Sequence, residues 1–126
     1  LFKIIKTLKK NNIKVALFIE PNINDVILSK QLGADSIEIH TGEFCKLIIN
    51  NRKYNSALNK IKKISYFAQK SGLEVHAGHG LTYKSARLIS KIKYITELNI
   101  GHFIISESLF YGLKKTIIKF KKIIYK

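Results

Sequence analysis

The stretch Leu73-Glu74-Val75-His76-Ala77-Gly78-His79-Gly80-Leu81-Thr82-Tyr83 decides the fold. Leu73 to Ala77 reads as a short buried strand, bounded by Gly72 before it and by Gly78-His79-Gly80 after it. The helical pattern from Tyr83 to Ile92 follows directly, so the segment spells strand, glycine turn, helix. Working upstream, Ala57, Ile61, Ile64 and Ala68 recur at i, i+4, i+7 and i+11, which predicts a helix that Gly72 terminates. Before it, Glu43 to Asn55 reads as a looser stretch with at most a turn of helix at Phe44, Leu47 and Ile48. Ser36 to His40 repeats the strand theme with Thr41-Gly42 at its exit, and Lys14 to Ile19 repeats it once more ahead of Glu20-Pro21-Asn22. Downstream, Ile95 to Ile100 is a fourth strand, and it runs into Gly101-His102.

Helices fill the intervals. Leu1, Ile4, Ile5 and Leu8 fall on one helical face. Asn24 is the expected N-cap of a helix running through Leu32, with Asp25 in its first turn and Gly33 at its close. A short helix is expected near Phe103, and Leu113, Ile117, Phe120 and Ile124 stripe a last one whose other faces carry six lysines. Strands alternating with helices and lacking hairpin signals predict βαβ units and a parallel sheet. Right-handed crossovers then bring every strand C-terminus to one rim. Four such units are half of a (β/α)₈ barrel, so residues 1–126 read as a single partial domain; a small open α/β sheet is the alternative. The helix under way at Leu1 and the absence of methionine favour a chain that starts upstream.

Lysine and arginine number 23 against 8 acidic residues, a formal charge of +15, which raises nucleic acid or an anionic membrane as partners. Yet 46% of the residues are hydrophobic, enough for a real core. The longest apolar run, Val15 to Ile19, cannot cross a bilayer. The first ten residues do not read as a signal peptide, and the single Cys45 excludes an intrachain disulfide, so a cytoplasmic setting is expected. The lysines read as solvated outer faces of helices, and neither nucleic acid nor membrane is the favoured partner.

The rim collects Glu20, His40, His79 and His102 beside Gly78, Gly80 and Gly101. In barrels the strand C-termini build the active site, and the last two loops often hold phosphate. Glycine lets backbone N–H groups approach an anion closely, and a helix starting near Phe103 adds its positive end. A histidine there can move protons near neutral pH. Glu38 alternates with Ile37 and Ile39; it either faces the interior, where it needs a partner, or pairs outward with a lysine. His76 is interior or merely packed, Cys45 reads as an inert apolar residue, and no metal-ligand spacing is present.

The strings Val75-His76-Ala77-Gly78-His79-Gly80-Leu81-Thr82-Tyr83 and Glu97-Leu98-Asn99-Ile100-Gly101-His102 closely resemble the pyridoxine 5'-phosphate synthase family of bacterial vitamin B6 synthesis. Leu17-Phe18-Ile19, Ile37-Glu38-Ile39-His40-Thr41-Gly42 and Gly112-Leu113 match further segments, in order, along the C-terminal half of that family. The resemblance implies a TIM (β/α)₈ barrel assembled as an octamer. It implies condensation of 1-deoxy-D-xylulose 5-phosphate with 3-amino-2-oxopropyl phosphate to pyridoxine 5'-phosphate, phosphate and water, with no metal or organic cofactor. It also implies that His79 is the proton donor, that Gly80, Gly101 and His102 bind the amino-ketone phosphate, and that Glu38 stabilises the transition state from the barrel interior.

Three positions depart from the family pattern: His76 stands for an asparagine, Phe103 for a small residue, and Glu107-Ser108 where an arginine is usual. Phe103 is expected to crowd the phosphate rim. The family's first half supplies a catalytic histidine and glutamate that map to no residue here, so the chain alone is expected to be inactive. A phosphate-binding half barrel without catalysis and a basic nucleic-acid-binding α/β domain are the competing readings.

Overall fold

The computed structural model of the chain describes residues 1–124. Helix α1 (Phe2–Lys10) leads into strand β1 (Ala16–Ile19) and helix α2 (Ile23–Gln31). Strand β2 (Ser36–His40) is followed by two helices, α3 (Gly42–Ile49) and α4 (Asn55–Lys70). Strand β3 (Glu74–Gly78) leads to α5 (Tyr83–Ile89), and strand β4 (Glu97–Asn99) leads to α6 (His102–Tyr111) and α7 (Leu113–Ile124). All four strands are parallel and lie in chain order, β1-β2-β3-β4. Strictly sequential parallel neighbours are the order of a barrel wall; a doubly wound sheet reverses direction part-way. The expected run of four parallel strands alternating with helices, half of a TIM barrel, is therefore what the chain forms.

The pleat sorts the side chains. Ile19, Ile37, Ile39, Val75 and Ala77 are buried on one face, where α2 and α4 pack against them through Val26, Ile61, Ile64 and Ala68. Each large aliphatic side chain buried this way contributes about 1.5–3 kcal/mol. The opposite, concave face carries Phe18, Glu38, His40, His76, Glu97 and Asn99, set side by side by the register Phe18–Glu38–His76–Glu97 and, one step higher, His40–Gly78–Asn99. Asp35 ties the lower end together: Lys9 Nζ meets its Oδ1 at 2.8 Å, Val15 N–H donates to its Oδ2 at 2.9 Å, and Glu74 N–H donates to its backbone oxygen at 3.1 Å.

Several local expectations shift. The cap of α2 is Asn22, whose Oδ1 accepts from Asp25 N–H at 2.9 Å, and not Asn24, because the helix begins two residues nearer the strand. The stretch expected to be loose holds the two-turn helix α3, which buries Phe44, Cys45 and Ile48. Strands β1 and β4 are shorter than read, and α5 stops at Ile89. In α7 the buried positions are Thr116 and Phe120, while Leu113 is exposed. The five lysines of α7 are exposed as expected, and Lys126 lies outside the described residues. No helix of the described residues is long and apolar enough to cross a membrane.

Candidate functional site

The exit of β3 is shaped by its neighbours. His79 and Gly80 are both left-handed, with φ of 75° and 76°, a conformation that is uncommon for a histidine and must be held. Thr41 holds it from the next strand: fully buried, its Oγ1 lies 2.8 Å from the carbonyl oxygens of both Gly78 and His79, and its N–H donates to Gly78 O at 2.9 Å. Gly80 rests against Cys45, whose Cβ would lie 3.3 Å from a Cβ added there. Burial pushes the Cys45 thiol up, against the opposing interactions with Ser85 and Thr41, and its Sγ donates to Thr41 Oγ1 at 3.7 Å, so it packs as a buried apolar residue.

Glu38 takes the interior reading of the two left open. It is half-buried on the concave face, where Asn99 Nδ2 donates to its Oε2 at 2.7 Å across β3. The carboxylate reaches Asn99 by passing over Gly78; a Cβ on Gly78 would overlap Glu38 Oε1. Asn99 was not a sequence candidate. Alternation places it on the face of Glu97, but only the strand register reveals that it stands beside Glu38. His76 is likewise interior, with Glu74 Oε1 3.6 Å from its Nε2 and Glu97 Oε1 3.8 Å from its Nδ1, too far for hydrogen bonds.

On the other side of His79 lies a second cluster. Glu20 Oε1 accepts from His40 Nδ1 at 2.6 Å. The His40 and His79 rings meet edge to face with centroids 4.7 Å apart, and Phe18 tilts over both at 5.1 and 6.4 Å. The sequence marked Phe18 only as part of an apolar run and of a family-matching string, not as a neighbour of these histidines.

Gly101 and His102 begin α6, and no side chain caps its first N–H groups. These donors open onto a cavity of about 590 Å³ at the rim. Glu38, His79, Gly80, Asn99, Gly101 and His102 border it, with Phe18 and Phe103 among its apolar walls. The cavity brings together the five residues that the resemblance implied, Glu38, His79, Gly80, Gly101 and His102; Gly78, His40 and Glu20, also on the rim read from the sequence, stand outside its lining. Phe103 does not simply fill the rim as expected. Its ring also packs edge to face on Tyr83 at 5.0 Å and on Phe120 at 5.9 Å, tying α6 to α5 and α7. Burial pushes the Tyr83 phenol up, and Glu107 beside it adds to that push. Among the described residues no three His, Cys, Asp or Glu side chains converge as ligands for a metal ion.

The cavity can accept an anion on backbone N–H groups while offering a histidine and a carboxylate to a carbon chain between them. Comparison with known proteins identifies the family. The sequence model of the family described as pyridoxal phosphate biosynthesis protein PdxJ matches residues 1–126. Pyridoxine 5'-phosphate synthase of Pelagibacter ubique is 53% identical over 120 residues, covering 95% of this chain and 50% of that protein. Those of Sulfurihydrogenibium sp. and Ehrlichia ruminantium are 47% and 43% identical over 120 and 124 residues, covering 95% and 98% of this chain and 49% and 50% of theirs. The chain spans about half the length of the curated relatives it matches. With its full length matched by the family model and four parallel βα units in barrel order, the chain belongs to the PdxJ family of pyridoxal phosphate biosynthesis proteins.

Proposed function

We propose that this chain supplies the amino-ketone phosphate site and the proton donor of a pyridoxine 5'-phosphate synthase. That enzyme joins 1-deoxy-D-xylulose 5-phosphate to 3-amino-2-oxopropyl phosphate, releasing phosphate and water with pyridoxine 5'-phosphate. The single observation that carries the reading is the 590 Å³ cavity bordered at once by His79, Glu38, Gly80, Gly101 and His102. Imine formation, dehydration and ring closure are successive proton transfers, work suited to an imidazole. In this reading His79 donates protons to departing oxygen. Glu38, oriented by Asn99, steadies positive charge that develops on nitrogen. The phosphate lies on the N–H groups at Gly80 and at the start of α6, with His102 adding a side-chain donor.

The placement of charge supports a small phosphate rather than a nucleic acid. Concave-face positions carry Glu38, Glu74 and Glu97 and no lysine or arginine, and α7 turns its lysines to solvent. A long polyanion would meet acid where it needs base. The octameric assembly and cytoplasmic location belong to the same reading, as does the need for catalytic groups beyond those of this chain.

Titration of the isotope-labelled chain with inorganic phosphate tests the site. Amide shifts are expected at Gly80, Gly101 and His102, and His102→Ala should weaken binding about tenfold, the equivalent of one charge-assisted hydrogen bond. Shifts confined to the lysines of α4 and α7, abolished by modest salt, would overturn the reading in favour of a polyanion surface.

A further inference from the structure

His79 is exposed, and among the described residues no protein group hydrogen-bonds its ring. Its backbone is fixed by Thr41, but an imidazole free to rotate about its side-chain torsions would not be a well-aimed proton donor. What restrains the ring is the edge-to-face contact with His40 at 4.7 Å, supported by the looser contact with Phe18. His40 is restrained in turn. A carboxylate only accepts, so the 2.6 Å contact with Glu20 Oε1 requires the proton on His40 Nδ1, which fixes both the ring plane and the tautomer.

A third residue shows how closely the two rings are seated. A Cβ added to Gly42 would lie 2.6 Å from His40 Nε2 and 3.0 Å from His79 Cδ2, so both rings converge on the bare Cα that starts α3. Gly42 does not have positive φ, and in the first turn of a helix alanine is the better residue. The backbone conformation therefore does not demand glycine there; the room for two imidazoles does.

We propose that His40 is a positioning residue for His79, itself oriented by Glu20, with Gly42 providing the space in which the two rings meet. The role assigned to His79 rests on the proposed function; the positioning itself does not. Glu20 lies after β1, His40 ends β2 and His79 follows β3, so three successive strand exits fix one ring. Glu38 and His102 also border the cavity that His79 faces, and the Cys45 Sγ approaches the His79 carbonyl oxygen, yet none of these is in hydrogen-bond contact with the His79 ring. Orientation of a functional histidine by a carboxylate bonded to its other ring nitrogen is a general device; here it acts through one further imidazole.

The test uses the full chain with labelled histidine and reads ring signals, so it needs neither substrate nor turnover. Long-range proton–nitrogen spectra should show His40 as a single Nδ1–H tautomer, and ring currents should displace the His79 Hδ2 resonance from its free-histidine position. Glu20→Ala should abolish the single-tautomer pattern of His40 and return His79 Hδ2 part of the way. His40→Leu should return it further, leaving only the smaller shift from Phe18, and Gly42→Ala should displace it although alanine favours the helix. If His40→Leu fails to fold, the other two variants decide. An unchanged His79 Hδ2 in Glu20→Ala and Gly42→Ala, with the amide fingerprint intact, would overturn the inference. Failure of His102→Ala to alter phosphate binding would count against the proposed function alone.

Discussion

Two strand exits carry the same Gly-His pair and treat it in opposite ways. At β3, Gly78 passes beneath the Glu38 carboxylate and Gly80 lies against Cys45, while buried Thr41 holds the turn from β2. At β4, a Cβ on Gly101 would meet nothing within 4 Å, the strand is three residues long, and α6 buries none of its ten residues. Leu109 and Phe110 of α6 are more than four-fifths exposed. The β3 exit is therefore specified by its protein neighbours. The β4 exit shows no such packing around its glycine, which is the N-cap of α6; in the proposed function the open space there receives the phosphate. One exit is shaped by its packing and the other is left open.

The sharpest way to break this contrast is Gly78→Ala. Gly78 has no positive φ, so alanine meets no backbone penalty and the effect is steric. The new methyl would overlap Glu38 Oε1 and lie 3.1 Å from Asn99 Cβ, so the Glu38–Asn99 hydrogen bond must open. We expect a loss of about 1–2 kcal/mol, because the Glu38 carboxylate can swing aside but gives up its part-buried hydrogen bond with Asn99, read as a lower urea midpoint at unchanged slope. A variant as stable as the parent would mean that the carboxylate is not seated over this glycine.

A middling effect is expected beneath both exits, at Asp35. Its pairing with Lys9 and its bond from Val15 N–H hold the carboxyl below the usual aspartate range. A group whose folded pKa is depressed contributes stability above its unfolded value, near 3.9, and loses it as pH falls through the lower folded value. Asp35→Asn should cost about 1 kcal/mol at pH 7, discounted because Lys9 is partly exposed, and the difference should shrink as the pH falls below the unfolded value of about 3.9 and through the lower folded one. Urea melts of both chains across that range decide it. A pH-independent difference would assign the loss to packing and free the frame from this charge.

The contrast also explains what the sequence could and could not disclose. Strand, turn and helix recur four times, three of the turns with glycine, and parallel order follows from the absence of hairpins, so the architecture was legible from Lys14 to Ile100. The interior place of Glu38 was not, because alternation gives two faces and only the packing of α2 and α4 on Ile37 and Ile39 selects one. Asn99 and the Glu20–His40 pair escaped for a related reason: each joins residues far apart in sequence, through a register or a loop that periodicity does not encode. Helix α3 was read as loose because its apolar residues crowd into eight positions, too few for a repeating stripe. The glycines were visible as letters, but their different uses depend on what surrounds each one.

The smallest effect on stability should come from Gly101→Ala, and it is the change that most sharpens the comparison. With open space around the position and φ at −105°, alanine meets neither clash nor left-handed strain. Stability should stay within about 0.5 kcal/mol of the parent, as for surface substitutions away from special features. Glycine is among the favoured N-cap residues and alanine is not, so a few tenths of a kcal/mol against the variant are expected at the start of α6. Phosphate binding should respond differently. A methyl beside the first free N–H groups of α6 stands where an anion must approach, so affinity should fall severalfold while the melting curve barely moves. That separation is the signature of a glycine kept for its ligand. Gly78→Ala should give the reverse order, with stability lost first. If Gly101→Ala binds phosphate as the parent does, the anion is held by the β3 exit alone, and the two Gly-His turns do not share one phosphate.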